Sequence, residues 1–190
     1  MRKPNNFEET QENRGFQPLQ LGGHICRIMG VTETTSKTRK AMVVVALDIE
    51  EGEQKGYYAN QYRLDDRPDK KWGCNVYILV EDKDGNTSKA FKTFIMAVER
   101  SNAGFDHNKI WDEHFADYFK NKLIGGVFGR EEYLNQNNQK KMITKCFYFR
   151  DTETIRKGVP VPEDRLLDTP TDTMEDLGFK PDVGMDDLPF

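Results

Sequence analysis

Ala41-Met42-Val43-Val44-Val45-Ala46-Leu47-Asp48-Ile49 decides how the chain is read. Five of these nine residues are Val, Leu or Ile, and none is Gly or Pro. β-Branched side chains are stiff at χ1 and pack well on a pleated surface, so the run predicts a strand. Just before it stands a polar, basic turn, residues 35–40 (TSKTRK). Before that, residues 19–34 (LQLGGHICRIMGVTET) alternate loosely and are rich in Ile and Val, which predicts a second strand. Gly22-Gly23 permits a bend or bulge there. The two strands and the basic turn read as a hairpin.

On the C-terminal side, residues 50–55 form a charged loop, and residues 56–63 (GYYANQYR), aromatic and polar, suit a short helix. Residues 64–71, with Pro68, read as loop, 72–81 (WGCNVYILVE) as a third strand and 82–86 (DKDGN) as a turn. Phe91, Phe94, Ile95 and Val98 recur at i, i+3, i+4 and i+7, the stripe of an amphipathic helix over residues 91–101, which Asn102-Ala103-Gly104 ends. A short helix is expected around Trp111. Residues 122–134 read as a fourth strand kinked by Gly125, Gly126 and Gly129, residues 135–139 (NQNNQ) as a hairpin loop and 141–150 as a fifth strand. The expected class is mainly β, in the order β-β-β-α-β-β. That is the order of the OB-fold, a five-stranded Greek-key β-barrel. Residues 1–18 are expected to be a flexible lead-in, 19–150 the OB-fold domain, and 151–190, with five prolines among acids and threonines, a disordered acidic tail.

The 190 residues are 36% hydrophobic and 32% charged, yet include 12 Phe, 7 Tyr and 2 Trp. Disordered chains are poor in aromatics, so a real core with added polar material is implied. Charge divides unevenly: 24 basic and 21 acidic residues up to Arg150, then 4 and 11 from Asp151 onward. This is a weakly basic body with an acidic tail. Cys26, Cys74 and Cys146 are odd in number, with no CxxC spacing, which argues against a disulfide framework or a zinc ribbon and for a reducing compartment. His24 and Cys26 sit two apart, but no second pair completes a metal site, and no metal or other cofactor is expected. No apolar stretch reaches the length of a membrane span, and no leader-like apolar segment opens the chain.

Binding a single strand needs cations along the backbone path and flat side chains for bases to stack on. Three places interleave them. One is the first hairpin turn, with Lys37, Arg39 and Lys40. The second runs from Lys55 through Tyr57, Tyr58, Tyr62, Arg63, Lys70 and Lys71 to Trp72. The third is the fifth strand, where Tyr148 and Arg150 read as outward and Phe147 and Phe149 as core. For catalysis the candidate acids are Asp48, Glu50, Asp65, Asp66, Asp69, Glu81, Asp82 and Asp84. Glu81-Asp82-Lys83 imitates part of a metal-nuclease site, but 82–86 is better explained as a turn. GGVFG lacks the Lys-Ser/Thr of a phosphate loop. No enzymatic activity is expected.

The last six residues, Met185-Asp186-Asp187-Leu188-Pro189-Phe190, put an acidic run before an aromatic ring. Asp186, Asp187, Leu188, Pro189 and Phe190 suit a partner pocket with apolar walls and a cation beside it. This ending resembles that of bacterial single-stranded DNA-binding proteins, with Met185 where those have an Asp and Leu188 in place of Ile. The body resembles the single-stranded DNA-binding proteins of bacteriophages and prophages of Gram-positive bacteria, on LGGHICRI, TSKTRKAMVVVALDI, GYYANQY, KKWG, FKTFIMAVERSN and IGGVFGREEY, across roughly residues 20–150. The resemblance implies an OB-fold, no catalysis, sequence-tolerant single-strand binding in a bacterial cytoplasm, and contact with replication, recombination or repair enzymes through the tip. A homo-oligomer is compatible with it. A protein-interaction or recombination-mediator module of the same fold, and a metal-dependent nuclease, are the other readings.

Overall fold

One long strand organises the sheet. β1, Gly22–Thr35, pairs antiparallel with β2, Ala41–Ile49, from Cys26 to its end, and with β4, Leu123–Leu134, from Gly22 to Arg27. Met29 is an extra residue between the pairs Ile28–Leu47 and Gly30–Ala46, a bulge that bends β1 where its partner changes. β3, Asn75–Leu79, adds to β2, and β5, Lys140–Arg150, adds to β4, giving the order β3-β2-β1-β4-β5. The computed structural model describes residues 2–5, 7 and 17–167. Among them no ladder joins β3 to β5, so this five-stranded antiparallel sheet is not the closed barrel expected from the strand order. β3 is only five residues long and fully paired with β2. The side left open is covered by α2, Lys89–Ser101, which packs against β3, β4 and β5.

The predicted stripe of α2 is buried as expected: Phe91, Phe94, Ile95 and Val98 join the core, with Ala90 and Ala97. The helix begins two residues earlier than the stripe suggests, because the Ser88 hydroxyl accepts from the Phe91 amide as an N-cap. Phe94 stacks on Phe119 at 5.0 Å and meets Phe149 at 5.5 Å, which ties α2 to the chain before β4 and to β5. Within the 110–120 stretch expected to hold a short helix, Trp111 itself is not helical, but a 3-10 helix follows it. Short 3-10 turns lie on either side, His107–Lys109 and Phe115–Phe119, and the Trp111 ring stacks on Phe115 at 5.8 Å.

α1, Tyr57–Leu64, lies between β2 and β3 and has no local side-chain cap. Its cap comes from the sheet. The Asp48 carboxylate, on β2 and 6% exposed, accepts from the amides of Tyr58 at 2.9 Å and Ala59 at 3.3 Å, and from Ile49 at 2.8 Å. A buried charge is tolerable only when its lone pairs are filled, and here the positive end of a helix also faces it.

The ordered body extends past Arg150, where the sequence reading ended it. α3, Thr152–Lys157, is capped by Asp151 and buries Ile155 against Ile25 and Val127. Residues 158–167 then run on along the sheet, and Val159 packs with the same cluster. Gly125 leaves room for this: a Cβ there would collide with Ile155 and with the Arg150 carbonyl. Residues 168–190, including most of the expected disordered tail, lie outside the described residues. Among the described residues, no helix is long and apolar enough to cross a membrane.

Asp48→Ala should lower unfolding stability by about 2 kcal/mol, because three amides lose their acceptor in a buried place. Urea denaturation measures the loss. An unchanged midpoint would mean that α1 finds another cap.

Candidate nucleic-acid interface

Alternation along β2 and β3 separates a core face from an outer one. Val43, Val45, Leu47 and Ile49, with Val76 and Ile78, enter the core. Val44, Ala46, Asn75, Tyr77 and Leu79 are half-buried on the other side. Cross-strand pairing aligns them in rows: Thr32–Val44–Tyr77, Gly30–Ala46–Asn75 and Thr34–Met42–Leu79. The outer face is therefore a shallow, nearly uncharged strip carrying one flat ring, Tyr77. Burial raises the Tyr77 hydroxyl above its ordinary pKa, so it stays neutral at pH 7.

Both ends of β3 carry cations. Past its C-terminal end, the 36–40 turn closes with Ser36 donating its amide to the Lys40 carbonyl at 2.8 Å. Lys40 Nζ donates to the Asp82 carbonyl at 3.1 Å, which ties this turn to the one after β3, while Lys37 and Arg39 are exposed. At the other end, Trp72 Nε1 donates to the Leu47 carbonyl at 2.7 Å, and Asn75 donates to the Trp72 carbonyl at 3.0 Å. The Tyr62 ring lies 5.7 Å from Trp72, with Lys70 Nζ 4.6 Å from the Tyr62 centroid. The five residues of β3 span about 16 Å between these clusters. Lys37, Arg39 and Lys40 thus lie past one end of β3, and Tyr62, Lys70 and Trp72 lie towards the other, where Trp72 packs partly against the main core; Tyr77 stands on β3 between those ends.

Other sequence candidates fall elsewhere. Tyr58 is a core residue, 4% exposed, its ring stacked on Phe128 at 6.5 Å, so it offers no face to a base. Burial raises its hydroxyl pKa well above the ordinary value. The Tyr57 hydroxyl accepts from the Leu19 amide at 3.1 Å and holds the chain before β1. Lys55 pairs with Glu50 at 2.9 Å, Arg63 bonds to Asn60 at 2.9 Å, and Lys71 is half-buried. On β5, Tyr148 points away from the main core as predicted, but it packs on the Ile155 cluster under α3, with the Arg150 guanidinium 4.7 Å from its ring. β5 is also the sheet edge opposite β3, so these two do not join the strip. Asp186, Asp187, Leu188, Pro189 and Phe190 lie outside the described residues. Tyr77 was missed from sequence, although the alternation of Asn75, Tyr77 and Leu79 with Val76 and Ile78 was its signal.

Four of the candidate acids, Asp48, Glu50, Asp65 and Asp82, have structural partners. Asp48 caps α1, Asp82 accepts from the amides of Asp84 and Asn86, and Arg67 holds the Asp65 carboxyl down to about 2. Hydrogen bonds from Arg27 and then Lys55 hold Glu50 down to about 2. His24 bonds to the Gln20 carbonyl at 2.8 Å, and Cys26 is fully buried, so they make no ligand pair. Burial pushes the Cys74 thiol up to about 12, far from a reactive thiolate. No family model matches the chain, and no curated protein matches it.

Because the folded pKa of Glu50 is depressed, its contribution is full above about 4.5 and lost as pH falls towards about 2. Glu50→Gln should cost about 1 kcal/mol at pH 7, as expected for a charge-assisted, partly exposed pair. The gap from the parent in urea melts should shrink steadily below pH 4.5. A gap independent of pH would assign the loss to packing.

Proposed function

We propose that the chain binds single-stranded DNA without sequence preference, across the outer face of β1, β2 and β3. The observation that carries this reading is the strip itself. Tyr77 lies between a Trp72–Tyr62–Lys70 cluster and the Lys37–Lys40 turn, so stackable rings and cations alternate along one path. Every base has a π-face, so such a strip binds strands of any sequence. Of the strip's remaining groups, Val44, Ala46, Met42 and Leu79 are apolar, and the Asn75 amide already donates to the Trp72 carbonyl, so little is left to read base edges. We further read the sheet as an OB-type barrel left open between β3 and β5. The order β3-β2-β1-β4-β5 is the one such a barrel has when cut at that seam. The acidic end is then the recruiting element for replication, recombination or repair proteins. A metal-dependent nuclease is less well supported, because Asp48, Glu50, Asp65 and Asp82 each hold a structural position.

Titration with oligo-dT tests the reading. Binding should weaken steeply with salt, because phosphate contacts release counterions, and duplex should bind poorly. Tyr77→Ala, Trp72→Ala and Tyr62→Ala should each cost about 1–3 kcal/mol where the ring stacks on a base. If the folded variants all bind like the parent, the strip is not the site. Persistent cleavage of labelled strand with magnesium would favour the nuclease.

The end of the chain makes a separate prediction. Acids such as Asp182, Asp186 and Asp187 are tethered near the cations and compete with phosphates. Removing residues 168–190 should preserve or slightly raise DNA affinity at low salt, with the gain shrinking as screening sets in. Deleting Phe190 alone should leave DNA binding intact and abolish capture of replication enzymes. Retained capture would move the partner site elsewhere.

A further inference from the structure

The β4–β5 hairpin outruns β1. β1 begins at Gly22, opposite Phe128, so residues 129–134 of β4 have β5 on one side and no strand of the sheet on the other. The chain's own later residues take that edge. The Arg165 amide donates to the Arg130 carbonyl at 2.9 Å, and the Glu132 amide donates to the Arg165 carbonyl at 2.8 Å, a short parallel bridge. The Leu167 amide donates to the Glu132 carboxylate at 3.2 Å.

Side chains define what this segment covers. Phe147 is the extra residue of a bulge, between the pairs Val127–Tyr148 and Phe128–Cys146. The bulge turns its ring away from the main core, and the ring lies flat over Gly129, where a Cβ would collide with it. The other face of the ring is covered by the Arg165 guanidinium, 3.3 Å from the centroid. Beside it, the Asp164 carboxylate takes two donors of Arg130, at 3.0 and 2.6 Å. Lys145 Nζ pairs with Glu131 Oε1 at 2.7 Å, while Glu131 Oε2 is buried without a hydrogen bond and 3.7 Å from Arg165.

A planar group laid on an aromatic ring and an anion held bidentately by Arg are what a nucleotide would bring: a base to Phe147, which is 2% exposed while Arg165 covers it, and a phosphate to Arg130. We propose that residues 159–167 are a clasp over a second single-strand contact, with Arg165 standing where a base would stack and Asp164 where a phosphate would pair. This inference rests on the single-strand reading above. Two observations make the clasp displaceable. The Arg130–Asp164 pair is substantially solvent-exposed, and such pairs contribute little in salt. Arg165 is partly desolvated, and it meets Glu131 Oε2 at 3.7 Å as an ion pair without a hydrogen bond, so its seat is imperfect. A strand long enough to pass from the β1–β2–β3 face to the β4–β5 hairpin competes with the clasp, and displacement frees the chain that leads into the acidic end. Glu131 neutralises Lys145, so Arg130 is the principal phosphate contact.

The test uses the full chain with Asp164→Ala/Arg165→Ala, which removes the side chains standing on Arg130 and Phe147, leaves those two in place, and loosens the clasp to its backbone bridge. Oligo-dT of about 8 and about 30 nucleotides brackets one site. The long strand should bind at least about threefold tighter than to the parent, since the apparent affinity no longer carries the closed fraction. The short strand, filling only the first face, should bind as before. Adding Arg130→Ala should remove the gain. If the double variant folds poorly by circular dichroism, a chain ending at Gly158 should show the gain against a chain ending at Leu167, so that loss of the acidic end is common to both. Equal or weaker binding of long strands by these variants overturns the clasp, as does self-association through the freed β4 edge without tighter binding. Failure of the parent itself to bind either strand overturns the single-strand reading, and with it the clasp only if the opened variants also fail.

Discussion

β1 must satisfy two partners, and much of the molecule follows from how it does so. A strand in a sheet has one hydrogen-bonding edge on each side, and β1 uses them mainly along different halves, β4 against Gly22–Arg27 and β2 from Cys26 onward. The bulge at Met29 lies just past the overlap, where local twist re-aims the strand. Each hairpin then extends alone beyond the shared zone. β1–β2 carries the basic turn outward, and β4–β5 carries Arg130 and Lys145 outward on the other side, next to the buried Phe147. A free strand edge invites pairing with another chain, and here residues 164–167 cover one such edge.

The core was legible because its signals are local. The Val43–Ile49 alternation and the Phe91–Val98 stripe each contain their own period, and the burial follows it. The fifth strand defeated the same logic. Phe147 and Phe149 are both buried, as alternation reads them, but the bulge at Phe147 resets the count, so Cys146, read as outward with Tyr148, joins Phe149 in the main core. A bulge is a property of two strands in register, so one strand's sequence does not announce it.

The candidate site was half legible for a related reason. Tyr58 and Tyr62 stand four apart on α1, yet Tyr58 is buried and Tyr62 exposed. α1 meets the sheet through its first turn, where Asp48 holds it, so the helix buries its start and not a full stripe. The segment from α3 to Leu167 was read as tail because acids and prolines dominate its composition. Its few anchors, Ile155, Val159 and Arg165, succeed only because Gly23, Gly125 and Phe147 leave fitted places for them far away in sequence.

The charge arrangement suits the proposed role better than a uniformly basic surface would. A strip dense in cations binds phosphate strongly wherever it lies, but it repels itself and holds duplex and single strand alike. Here the middle of the strip is apolar and aromatic, with Lys37, Arg39, Lys40 and Lys70 towards its ends, and several cations elsewhere on the body are already paired. Lys55 has Glu50, Arg130 has Asp164 and Lys145 has Glu131. Of these, the Arg130–Asp164 pair is exposed enough for a phosphate to replace the carboxylate at modest cost. Preference for a single strand then rests on unstacked bases reaching the rings, which a duplex does not present, and electrostatics adjusts the affinity without setting the choice.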